Sequence, residues 1–192
     1  MNIYSIWGGG LIALICFCTC NGKPVSPSTA VISELNLKKG EVISCGPADA
    51  QFGKIRFAFS GSKKISADFN LAVSLLHSFE YEEAEKVFAK VIRQEPNCAM
   101  AYWGIAMANF HALWAPPSPA ELEKGAKAIS IARSITPKSR READYIAALA
   151  SFYNQWDTLS HRQRSTNYEQ SMEQLHQTYP DDKEATVFYA WH

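Results

Sequence analysis

The sequence predicts an all-α fold of antiparallel helix pairs stacked side by side, preceded by a short extended or hairpin segment. Three observations predict it. A helical apolar period sets in at Ile65 and runs to the end of the chain. A four-residue pattern then recurs: Ala84, Phe88, Val91 and Pro96, then Gly125, Ile129, Ala132 and Pro137, then Tyr168, Met172, Leu175 and Pro180, each with offsets of 4, 7 and 12 from its first member. Offsets of 4 and 7 fall on one helical stripe. The proline stops the helix, because it has no N–H to donate and clashes with the preceding turn. Each proline is followed by a second helical stretch, Cys98–Ala108, Arg140–Gln155 and Lys183–Ala190. Small residues at Ala72, Ala106 and Ala147 suit close approach of neighbouring helices.

Composition fits one folded domain. The 192 residues are 47% hydrophobic, with 19 Lys plus Arg against 19 Asp plus Glu. That excludes a disordered chain, and zero net charge gives no long-range pull toward nucleic acid or anionic lipid.

Residues 1–19 read as an export signal: Ile3 to Cys20 carries no charge, and Thr19, Cys20, Asn21 and Gly22 follow the apolar run. The segment resembles a bacterial lipoprotein signal, which implies lipidation at Cys20. A plain secreted protein and an uncleaved anchor are the alternatives. The expected location is the bacterial cell envelope or periplasm, or otherwise secretion, with membrane contact only through this signal or its lipid. Cys16, Cys18 and Cys20 then end a signal rather than bind metal, leaving Cys45 and Cys98 in the body.

Residues 20–64 read as a tether followed by a hairpin. Gly22-Lys23-Pro24 and Ser26-Pro27-Ser28 have linker composition. Glu41–Ser44 and Lys54–Phe59 are candidate strands, the second alternating polar and apolar residues.

Residues 65–192 form the helical body, divided as 65–98, 99–139, 140–182 and a partial unit at 183–192. Leu71, Ala72, Tyr81, Ala84, Phe88 and Pro96 make the first unit resemble the tetratricopeptide repeat, a 34-residue helix–turn–helix. Gly125 and Tyr168 depart from its usual alanine. Pro96 to Pro137 spans 41 residues and Pro137 to Pro180 spans 43, so the later units carry insertions, expected between their two helices around His111–Ser118 and Trp156–Ser160. The strings LLHSFEYEEAEKVF, PNCAMAYWGIAM, HALWAPP and YPDDKEATVFYA resemble a group of exported bacterial tetratricopeptide-repeat proteins without assigned activity. Those relatives continue into further helices, some with paired histidines, whereas Val187, Phe188 and Tyr189 begin an apolar face with no second helix after it; the expectation is a truncated or frameshifted chain, and the alternative is a short protein that covers this face with a partner.

The resemblance further implies a concave groove lined by the first helix of each pair. Its candidate binding residues here are Phe69, His77, Met100, Trp103, Met107, Phe110 and His111. His77 and His111 would share one repeat position, roughly 10 Å apart. Two readings follow. The groove takes a peptide, apolar ligand or metal, or extra elements fill it and these residues are core.

No metalloprotease, phosphate-loop or nucleophile-elbow motif occurs. Glu82-Glu83 and Asp181-Asp182 sit at helix starts, where carboxylates are favoured. Lys138, Arg140, Arg141, Arg162 and Arg164 read as a solvated face without the aromatics of a nucleic-acid binder. Trp114 and Trp156 read as anchors of the insertions. The expectation is a non-enzymatic repeat scaffold that needs no cofactor or metal and binds a protein or peptide, not nucleic acid. The alternative is a fragment of a larger ligand- or metal-binding protein or enzyme whose site is completed by missing repeats.

Overall fold

The computed structural model describes residues 26–43, 52–53, 55–113, 115–136 and 138–191. The expected signal, Cys20, Cys45, Trp114 and Pro137 lie outside them. Eight helices form among the described residues: α1 (Thr29–Ser33), α2 (Ser66–His77), α3 (Tyr81–Gln94), α4 (Ala99–Ala108), α5 (Pro119–Ser134), α6 (Arg140–Tyr153), α7 (His161–Thr178) and α8 (Lys183–Tyr189). Helices α2/α3, α4/α5 and α6/α7 pack as pairs, and successive pairs join through α3/α4, α5/α6 and α7/α8. The first helices also meet, α2 against α4 and α4 against α6, whereas the backbones of α3, α5 and α7 stay apart, α3 and α5 being linked through the Lys124–Glu85 ion pair.

Local signals explain the ends. Helices α5, α6 and α7 each open with a capping box, Ser118/Glu121, Ser139/Glu142 and Ser160/Gln163, in which hydroxyl and carboxylate or amide each accept a backbone N–H. Helix α3 stops at Glu95 (φ −144°, ψ 80°) and α7 at Tyr179 (φ −126°, ψ 68°), each the residue before a proline and each outside helical geometry. The insertions fall between the two helices of their pairs, at 109–118 and 154–160. Arg164, read above as solvated, is buried and clasps the second insertion. Its Nη1 donates to the carbonyls of Trp156 (3.1 Å) and Leu159 (2.6 Å), and its guanidinium lies 5.2 Å from the Phe152 ring.

Two expectations are corrected. No strand forms among the described residues, so Glu41–Ile43 and Ile55–Phe59 are not a hairpin there. The alternation in the second stretch instead buries Phe57 among helices, with side chains taking the backbone bonds that a partner strand would supply. Part of the expected tether is docked: Ser28 caps α1, Leu35 is buried, and the Lys38 N–H donates to Glu85 on α3 (2.9 Å).

Ala72 and Ala106 are buried at helix contacts, but Ala147 and Leu71 face solvent. The closest approaches need glycine. A Cβ on Gly104 would lie 2.3 Å from the Phe88 ring, and one on Gly125 would lie 2.2 Å from the Tyr153 ring, whose hydroxyl is tied to the Ala106 carbonyl at 2.7 Å. The departure from alanine at Gly125 thus makes room for Tyr153. Gly104→Ala and Gly125→Ala gain about 1 kcal/mol of helix propensity. They lose more to overpacking, about 1–3 kcal/mol. A net fall in thermal midpoint for both variants is the expected result.

Candidate binding face

Residues 55–62 run without regular structure across the N-terminal halves of the three first helices. The Phe57 ring meets one aromatic from each: Phe69 of α2 at 5.6 Å, Trp103 of α4 at 5.6 Å and Tyr145 of α6 at 5.3 Å. Phe59 stacks on Phe69 at 3.9 Å. The Arg141 guanidinium caps the cluster, 4.5 Å from Phe57 and 4.6 Å from Tyr145, a favourable cation–π placement.

Side chains hold the main chain of this stretch. Asn70 Oδ1 accepts from Phe57 N (2.9 Å), Arg141 Nη1 donates to the Ala58 carbonyl (2.6 Å), Glu142 accepts from Ser60 N (2.8 Å) and from its hydroxyl, and Glu95 accepts from Ser62 N (3.2 Å). Asp182 sets the angle of Arg141 by accepting from its Nε (2.6 Å); it also accepts from Tyr145 Oη (2.9 Å) and caps α8. Burial opposes ionisation of Asp182, but the bonds from Arg141 and Tyr145 outweigh it and hold the carboxyl below its usual range. Burial pushes the Tyr145 hydroxyl well up. An open cavity of about 780 Å³ flanks the stretch, lined by Ile55, Arg56, Ala58 and Arg141 on one side and by 178–184 on the other.

Glu142 is nearly fully buried and serves both the α6 capping box and Ser60. Burial raises its pKa, but the bonds from Ser60 and Ser139 prevail and hold it below the ordinary 4.5. A depressed carboxylate pKa stabilises the fold above the unfolded-state value, and that stabilisation is lost as pH falls through the folded value. Glu142→Gln is therefore expected to cost about 2–3 kcal/mol at pH 7. Denaturant melts should show the gap to wild type closing as pH drops below 4.5.

Phe69, Met100, Trp103, Met107 and Phe110 are all buried, so the expected groove wall is packed core. For Trp103 the cause is the two elements outside the regular pairs. Phe57 covers Trp103 from one side, and Phe188 of α8 covers it from another at 5.3 Å. Phe110 packs on Phe152 (4.5 Å) and Tyr168 (4.9 Å), and Tyr168 Oη donates to Met107 Sδ (3.8 Å). The histidines are engaged separately. His77 Nε2 lies 2.8 Å from Glu184 of α8, while His111 stacks on Tyr81 at 5.0 Å and lies 3.3 Å from Glu121. No group of three or more His, Cys, Asp or Glu is placed to hold a metal among the described residues. Cys98 is a buried thiol whose pKa burial pushes up to about 12.

Asn70, Tyr145, Arg141, Glu142 and Asp182 escaped sequence reading as a set. Ser139-x-x-Glu142 carries a visible capping-box signal, but Arg141 meets Asp182 across 41 residues with no local sign. No known protein family, curated protein or solved structure matches the chain. No helix among the described residues is long and apolar enough to cross a membrane.

Proposed function

We propose that the chain is an exported scaffold of the tetratricopeptide-repeat type, anchored through Cys20 and non-enzymatic, that binds a protein or peptide on the face carrying residues 55–62. The pairing order supports the repeat reading. First helices pack on one another while the backbones of second helices stand apart, bridged by long side chains such as Lys124, as expected when helix pairs stack into a curved array whose first helices line the inner side. The observation that carries the binding role is the polar frame itself: Asn70, Arg141 and Glu142 take main-chain groups of an irregular segment beside a 780 Å³ cavity. Side chains that bond main chain accept many sequences, whereas the ring pocket around Phe57 selects among them.

Panning a random peptide library on the immobilised full chain tests the reading. The expected outcome is an enriched consensus that binds in calorimetry at about micromolar Kd. It should weaken at least fivefold in Lys183→Glu, a change to an exposed residue on the cavity wall opposite the segment. No enrichment, or binding indifferent to that change, would remove the support. Metabolic labelling with a fatty acid, lost in Cys20→Ala, tests the anchor.

A further inference from the structure

We propose that residues 55–60 are a built-in, displaceable occupant of the binding face, and that its external partner is an extended peptide with aromatic residues at alternate positions followed by a small hydroxyl residue. This rests on the peptide-binding reading above and adds to it a ligand chemistry and a form of self-inhibition.

The segment is held as a bound peptide is held. Its main chain is gripped by side chains of the body rather than by a neighbouring strand: Asn70 at Phe57, Arg141 at Ala58, Glu142 at Ser60. Its side chains alternate. Phe57 is sunk among Phe69, Trp103 and Tyr145, and Phe59 lies on Phe69, while Arg56 and Ala58 face solvent and the exposed Ser60 turns its hydroxyl to Glu142. That is the pattern of an extended ligand with anchors on one side. The Ser60 hydroxyl adds a bond to Glu142 that a residue without a donor at this position cannot make.

The surroundings allow exchange. The segment lies outside every helix, and its outer edge borders the open cavity, so an incoming peptide can approach without parting any helix pair. A tethered occupant competes at millimolar effective concentration. An external peptide of similar intrinsic affinity must therefore bind the intact chain poorly, and must bind well once the tethered ring is removed.

The probe is a fluorescein-labelled peptide of residues 55–62, Ile-Arg-Phe-Ala-Phe-Ser-Gly-Ser, read by anisotropy against the full chain. Phe57→Ser is expected to bind it at least tenfold more tightly than wild type. A peptide with serine at its third position should fall to background on the same variant. A Phe57→Ser chain that keeps native helicity yet gains nothing would overturn the proposal. Should that variant fail to fold, hydrogen exchange on the unmodified chain decides. The Phe57 and Ser60 amides are expected to exchange at least 100-fold faster than those of Ala72 and Ala106 in the core helices. Equal rates would mean that the segment leaves only on global unfolding, which sinks the idea. If library peptides bind the wild-type chain but the substitution brings no gain, self-inhibition alone has failed; if neither chain binds any peptide, the binding reading has failed as well.

Discussion

Replacing Trp103 with alanine is expected to lower the thermal midpoint by about 10 °C. The ring is almost completely buried and stands where four elements meet. Phe57, Tyr145 and Phe188 lie 5.6, 5.8 and 5.3 Å from it, on the 55–62 segment, α6 and α8. Truncating a buried tryptophan costs about 3–5 kcal/mol, the lost transfer energy plus the cavity left behind. A chain of this size moves about 2–4 °C per kcal/mol. Because the neighbours belong to separate elements anchored elsewhere, they cannot all collapse into the gap. Trp103→Phe should recover more than half of the loss, since it keeps an aromatic in contact with its neighbours. Circular dichroism melts of the two variants check both statements, and a drop below 3 °C for the alanine variant would mean that the site repacks.

Lys124→Met is expected to be as damaging for an electrostatic reason. Glu85 on α3 is about 2% exposed and accepts from Lys124 Nζ on α5, from Asn109 Nδ2 at 3.1 Å and from the Lys38 N–H at 2.9 Å. Removing the ammonium leaves a buried carboxylate without its counter-charge, a loss of about 3–5 kcal/mol. The double change Glu85→Met/Lys124→Met should restore part of this, because well-packed apolar residues often replace a buried pair at little cost. Urea midpoints of the single and double variants decide: a double variant no better than the single one would place the importance of Glu85 in its bonds to Asn109 and Lys38.

The helix pairs were legible because their signals are local. Apolar offsets of 4 and 7 and a stop at each proline depend on residues within one turn of one another, and α3, α5 and α7 end where those signals put them. The insertions were legible from spacing alone. The binding face was not. Phe57 gains its meaning from Phe69, Trp103 and Tyr145, which alternation cannot reveal, and a period-two pattern reads as a strand whether a strand or three helices cover it. The histidines misled for the same reason. A shared repeat position assumes an open array, whereas α8 brings Glu184 to His77 and the first insertion leaves His111 beside Tyr81 and Glu121. Three serine capping boxes were present in the sequence and would have placed the starts of α5, α6 and α7 directly.

The span between Ser60 and Glu142, 82 residues, sets a delay on the nascent chain. Synthesis proceeds at about 5–20 residues per second, so Phe57 and its neighbours wait on the order of 4–16 s for the helix that seals them. Until α6 has been made, the Phe57 ring lacks its Tyr145 neighbour and the Ser60 amide its Glu142 acceptor, so this corner of the molecule is among the late ones to close during synthesis.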